Sequence, residues 1–234
     1  LSTPAVVNSG LRRYLPDMMN AQEPDWADAA EARVLDEAIR LAPTLHWNAV
    51  LAKAAAKAAG LSEADGTLLL PKGPSDLAAL LFRRHDAAAL ADLAKLDVGA
   101  LKVRARIQAA VAARVAAAVV DEAAVRRATA FLATPSHAPL ALSLGWETAD
   151  KLWRWAGDTA TDENHYSKRA ILGAVLASTM AVRLTGGDAK AQDYLKARID
   201  QVMAFETWKA KLPTPSTFAK EAVGLLGRLR YGTP

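Results

Sequence analysis

Cysteine is absent from the 234 residues, which removes disulfides, thiolate metal sites and a cysteine nucleophile at a stroke. Histidine is sparse: His46, His85, His137 and His165 fall in no zinc-binding spacing. The chain also lacks a glycine-rich phosphate cradle, a Ser–His arrangement suggestive of a triad, and a repeat at fixed period. No alternating pattern of useful length argues for a strand, and no apolar run reaches the length of a membrane span. What remains is an all-α chain, 52% hydrophobic, with ample material for a core and a net charge of +4 that suits an anionic surface or a nucleic acid without choosing between them.

Helical periodicity and stop signals divide the sequence. Residues 1–24 stay unassigned: Arg12 and Arg13, with no acid before Asp17, only faintly suggest a targeting segment. A first helix is predicted over 25–41, with Val34, Leu35, Ala38, Ile39 and Leu41 on or near one face and Pro43 ending it. A second, over 48–59, closes at Gly60 in the position a C-cap favours. A short helix over 62–70, interrupted by Gly66 and stopped by Pro71, precedes a long one from Ser75 to about Leu96. Leu101, Val103, Ile107, Val111, Val115 and Val119 form a stripe over 101–120 with Lys and Arg off it, and Asp121 opens a helix that Pro135 closes. After the break at Gly186-Gly187, residues 188–211 are amphipathic.

The central stretch runs from Trp153 to Arg169. Apolar helices flank it, 138–156 before and 170–184 after, and helices so apolar must be buried against partners or a ligand. Between them stand Gly157 and a polar elbow in which Thr161 can act as N-cap and Asp162 and Glu163 complement the helix dipole. A capped helix start accounts for Thr161 and Asp162 but not for the tryptophans before the elbow or for Asn164, His165, Tyr166 and Arg169 after it. Asp162-x-x-His165 has the spacing of half a di-iron site, but the second copy such a site requires does not occur.

The order of the N-terminal helices is that of a helix-turn-helix domain. The stretch in the reading position is Glu63-Ala-Asp-Gly-Thr-Leu-Leu-Leu-Pro71, which sets two acids where phosphates would lie and offers no Arg, Lys, Asn or Gln to base edges. The C-terminal segment, 212–234, is tethered by Pro213 and Pro215. Its Phe218, Ala222, Leu225, Leu226 and Leu229 share one side at helical spacing. Such a stripe either closes the core or lies in a membrane interface with Lys220, Arg228 and Arg230 toward headgroups, and the proline tether favours the second.

The runs 101–107 (LKVRARI), 139–142 (PLAL), 156–162 (AGDTATD), 166–170 (YSKRA), 177–179 (AST) and 199–203 (IDQVM) resemble, in order and spacing, the signature runs of the COQ9 family of ubiquinone-biosynthesis proteins. The resemblance implies a TetR-like helical fold with a degenerate helix-turn-helix over 25–74, a lipid-binding helical domain over 75–211 and a membrane-binding amphipathic helix over 212–234. It implies no catalytic activity and no cofactor. The partners it implies are an isoprenoid quinone or phospholipid, the di-iron hydroxylase of the same pathway, a membrane surface and a second copy of the chain, with no nucleic acid. The implied location is peripheral, at the inner face of a bacterial membrane or the matrix side of a mitochondrial one. Carried onto this sequence, the family's polar patch falls on Asp158, Thr161, Asp162, Asn164, Tyr166 and Arg169. Glu163 and His165 stand where the family commonly has Phe and Trp; His165, which can stack or hydrogen-bond, completes the expected partner surface.

The resulting expectation is a non-enzymatic accessory protein that holds an isoprenoid tail among 101–120, 138–156 and 166–184, lined by Trp146, Trp153, Leu172, Val175, Leu176 and Thr179. The alternative is a TetR-like regulator with a hydrophobic effector, which would bind a discrete DNA site in a salt-dependent way.

Overall fold

The computed structural model describes residues 26–159 and 163–211, without the side chains of residues 163, 164 and 205–211. The described residues are helical and contain no strand. They divide into two compact units, one ending at Leu81 and one beginning at Phe82, so the division falls inside a helix. The expected N-terminal segment, most of the elbow's acidic cap (Thr161 and Asp162) and the whole C-terminal stripe from Phe218 to Leu229 lie outside the described residues.

The first unit holds α1 (Trp26–Leu41), α2 (Ala49–Ala58), α3 (Glu63–Leu69) and the start of α4 (Pro74–Leu93). On α1 the buried face is Ala30, Val34, Leu35 and Ala38, a spacing that puts all four on one side of a helix. Asn48 starts α2 by accepting the Val50 and Leu51 amides at 2.9 and 3.2 Å, which satisfies two of the donors a helix start leaves over. Ser62 caps α3 through the Asp65 amide. Gly66 counts against a helix by propensity, yet α3 runs through it. Its close approach to α2 accounts for a glycine here, since a Cβ at that position would come within 3.1 Å of the Ala56 Cβ. The Trp47 indole donates to the Pro74 carbonyl at 2.9 Å and pins the loop below α4.

The second unit contains the rest of α4 with α5 (Val103–Val119), α6 (Glu122–Leu132), α7 (Ala138–Trp155), α8 (Glu163–Gly186) and α9 (Asp188–Lys211). Its core joins Leu93 of α4, Ile107, Val111 and Val115 of α5, Ala149 and Leu152 of α7, Leu172 and Val175 of α8, and Leu195 and Ile199 of α9. The α5 stripe departs from the expected one. Ile107, Val111 and Val115 are buried, but Val103 is exposed, and Arg114 lies in the buried set with Ala110 and Ala118. A helix buries positions three and four apart, and 107, 110, 111, 114, 115 and 118 keep that phase where a strict step of four drifts away from it.

Candidate functional site

The elbow is built from the end of α7. Gly157 adopts φ +90°, a left-handed conformation that glycine takes without a Cβ penalty. Its amide reaches the Arg154 carbonyl and the Asp158 amide reaches back to Trp153, each at 3.0 Å, so the last carbonyls of α7 are met by a Schellman turn. From α5, Arg106 donates to the Ala156 carbonyl at 2.9 Å, setting a cation at the negative end of the α7 dipole.

Beyond the turn, Asp158 is almost buried, its side chain 6% exposed, and Arg169 is buried with it. Asp158 accepts Lys168 Nζ at 2.7 Å and Arg169 Nη1 at 3.1 Å. Arg169 also donates through Nε to Asp150 at 2.6 Å, and Asp150 pairs with Arg154 at 2.7 Å. Burial would raise the Asp158 carboxyl pKa, but hydrogen bonds and charge from Lys168 and Arg169 outweigh it and hold the pKa below its ordinary value. Asp150 behaves alike: burial opposes, and Arg169 followed by Arg154 prevails. The Trp153 indole donates to the Lys168 carbonyl at 3.0 Å while the Lys168 ammonium sits 5.5 Å from its ring centre. Of the expected partner surface, Asp158 and Arg169 are thus the internal brace of the elbow and not its outer face. Burial explains the difference, because each spends its charge on the other.

The outer face is aromatic. Trp146 of α7 lies 5.9 Å from Tyr166 and 6.3 Å from His165, ring centre to ring centre, and His165 meets Tyr166 edge-on at 5.2 Å. Tyr166 is 64% exposed and Leu142, one turn before Trp146, is 76% exposed. Trp146, expected among the lipid-lining residues, therefore belongs with His165 and Tyr166 on a surface. Asn164 and Glu163 show no described side chain there.

Beneath the elbow is a cavity of about 260 Å³. Trp153, Leu172 and Val175, three of the expected lining residues, meet there with Ile107 of α5 and Ile199 and Val202 of α9. Arg104, Ser167 and Lys168 add polar groups to this otherwise apolar wall, and Arg104 pairs with Asp200. Leu176 faces a second cavity of about 260 Å³ on the other side of α8. Thr179 lines neither: it is buried, and its hydroxyl donates to the Val175 carbonyl at 2.7 Å.

Sequence reasoning passed over a second polar group. Asp86 of α4 accepts Arg114 Nε at 2.7 Å, Thr148 Oγ1 at 2.9 Å and Lys151 Nζ at 2.9 Å. Arg114 also donates to the Phe82 carbonyl at 3.3 Å and lies 5.4 Å from the Phe82 ring centre. Beside them, His85 Nε2 is 2.9 Å from Asp121 Oδ2. Burial lowers the His85 pKa and the Arg114 charge adds to this, against the opposing pull of Asp121. The available signal was phase, since Asp86, Arg114 and Thr148 each occupy the buried register of their helix.

In the first unit, a cleft of about 590 Å³ lies between α2 and α3, with Lys53, Lys57 and Glu63 among small apolar residues. Glu63 and Asp65 occupy the first turn of α3, which buries none of its residues. Among the described residues no cluster of His, Asp and Glu could hold a metal ion, and no helix is long and apolar enough to cross a membrane.

Against known proteins, the COQ9 family profile matches residues 138–206, a segment that takes in the elbow and both helices flanking it. The human ubiquinone biosynthesis protein COQ9, mitochondrial, is 34% identical over 80 residues, 33% of this chain and 25% of that protein. Longer matches are weaker: 27% over 188 residues with Xenopus laevis COQ9-B, mitochondrial, covering 74% of this chain and 62% of the relative. Bos taurus COQ9, mitochondrial, is 25% identical over 200 residues, 80% of this chain and 62% of the relative. The chain thus spans between a quarter and 62% of the length of these relatives.

Proposed function

From the match of residues 138–206 to the COQ9 family profile and the likeness to the curated relatives, we propose that this chain belongs to that family and is a non-enzymatic, lipid-binding accessory protein of ubiquinone biosynthesis. It binds isoprenoid quinone intermediates and presents them to a di-iron hydroxylase at a membrane. The observation that carries this reading is the apolar cavity under the elbow, where Trp153, Leu172 and Val175 converge. Burying an isoprenoid tail there gains about 0.8 kcal/mol per methylene-sized group. An apolar cavity of about 150 Å³ admits one benzene, so about 260 Å³ takes only the first part of a long tail. Affinity therefore rises with tail length and then levels off once the cavity is full.

The aromatic surface of Trp146, His165 and Tyr166, with Leu142 beside it, supports the hydroxylase contact, because exposed aromatic anchors are typical centres of protein interfaces. In this reading, the buried Asp158–Arg169 pair holds that surface at a fixed angle to the cavity. Phospholipid can take the place of quinone in the cavity, and the segment 212–234 holds the protein, as a homodimer, at the membrane.

Native mass spectrometry of the full chain, purified and then incubated with quinone-containing liposomes, tests the carrier role. A bound lipid that Val175→Trp removes without changing the helical circular-dichroism signal supports it. A chain that carries no lipid and acquires none overturns it. Capture of the purified hydroxylase by wild type, and its loss with Tyr166→Ala, tests the presenting role; equal capture by both refutes that surface.

A further inference from the structure

The cleft between α2 and α3 has no part in the carrier reading. Its α2 wall is made of Ala49, Ala52 and Ala56, spaced three and four apart on one helical face. Gly66 of α3 stands opposite, and Leu61 and Leu70 lie before and after that helix. Alanine and glycine leave the space that larger side chains would fill, so about 590 Å³ stands open. The helix beside it is thinly covered: α3 has seven residues, buries none of them, and leaves Leu68 75% exposed. A helix that short holds little stability by itself and depends on what packs over it.

The rim carries charge of both signs. Glu63 lies 3.7 Å from Lys53, their side chains 87% and 77% exposed, and a pair so open is held weakly. Lys57, one turn beyond Lys53, also lines the cleft, and Asp65 follows Glu63 in the first turn of α3. The sequence 11–19, LRRYLPDMM, answers this pattern. Arg12 and Arg13 suit the acids of α3, Asp17 suits Lys57, and Tyr14, Leu15, Met18 and Met19 supply apolar bulk. At about 150 Å³ per benzene-sized group, about 590 Å³ takes about four such side chains. The reach is sufficient. Residues 20–25 lead into α1, which begins at Trp26 and packs against both α2 and α3. That link spans up to about 20 Å, against a radius of gyration of about 10 Å for a unit this small.

We propose that residues 11–19 of this chain dock in the cleft between α2 and α3, setting Tyr14, Leu15, Met18 and Met19 in the trough and Arg12 and Arg13 against Glu63 and Asp65. A link this short keeps the segment at an effective concentration of about millimolar, so a modest contact is enough to hold it. The helix in the reading position is then covered by the chain itself, and other macromolecules are excluded from it. The inference uses nothing of the second unit.

Bismaleimide cross-linking of the full chain tests it, because a chain without cysteine reacts only where cysteines are introduced. Met18→Cys is paired with Thr67→Cys, an exposed position lining the cleft, or with Ala32→Cys, exposed on α1 away from its buried face. The Thr67 pair closes within one chain about tenfold faster than the Ala32 pair, although Ala32 is nearer in sequence. Ala49→Trp fills the trough from an exposed position; with the helical circular-dichroism signal unchanged, it brings the Thr67 pair down to the Ala32 rate. Arg12→Glu with Arg13→Glu slows the Thr67 pair about threefold, the worth of an exposed ion pair, and adding Glu63→Arg restores it. Equal rates for the two pairs overturn the proposal, and so does a Thr67 rate that Ala49→Trp leaves unchanged. An adduct between two chains, rising with protein concentration, also overturns it, by assigning the cleft to a second copy.

Discussion

Two polar networks brace the second unit, and they are made differently. At the elbow, Asp150, Asp158, Lys168 and Arg169 come from one continuous run across the end of α7 and the start of α8. In the interior, Asp86 gathers Arg114, Thr148 and Lys151 across separations of 28 to 65 residues, tying α4, α5 and α7 together. The first fixes a local corner, while the second holds three helices in register. Removing a member of the first loosens one corner, whereas removing the hub of the second strands a buried cation.

The sharpest way to break this contrast is Asp86→Ala. It leaves Arg114, 4% exposed at its side chain, without its carboxylate, and costs about 3–5 kcal/mol, read by denaturant unfolding. Asp158→Asn at the elbow costs less, about 1–3 kcal/mol, since Arg169 keeps its bond to Asp150. Its mark is faster amide exchange in the first turns of α8 with little change in α4 and α5. Equal global losses from both substitutions would erase the distinction between corner and hub.

Acid separates the two networks more finely. The His85 pKa is lowered in the fold, so the unfolded chain takes up a proton first as pH falls below about 6.5, and stability declines from there. Asp150 and Asp158 have lowered pKa values. Their contribution is complete above about pH 4 and is lost as pH falls toward the lower folded values. Stability therefore falls in two windows, and His85→Phe abolishes only the upper one. The smallest effect on the fold is expected from deleting 216–234, which abolishes liposome co-sedimentation and leaves the helical signal of the remainder intact. Equal sedimentation of the truncated chain would mean that the segment does not hold the protein at membranes.

The same contrast explains what could be read from the sequence. The helices were legible because their stripes and stop signals are local, as at Asn48, Gly60 and Pro135. The elbow was legible as a contiguous motif, and Trp153, Leu172 and Val175 do meet at one cavity. Burial was harder to read. Asp158 and Arg169 look like surface residues until their mutual bond is seen, and Trp146 joins Tyr166 because of how α7 lies along α8. The Asp86 hub was invisible as a motif, since its partners share no stretch of chain. Only the buried register of each residue hinted at it, and that signal is easily dismissed when the residue carries charge.

One consequence remains in the position of α8. Leu172 and Val175 face one cavity and Leu176 and Met180 the other, so a single rod is the party wall between two rooms. An occupant that pushes the rod from one side resizes the room behind it. Were guests held on both sides, their binding would be thermodynamically coupled, with the same strength whichever arrived first.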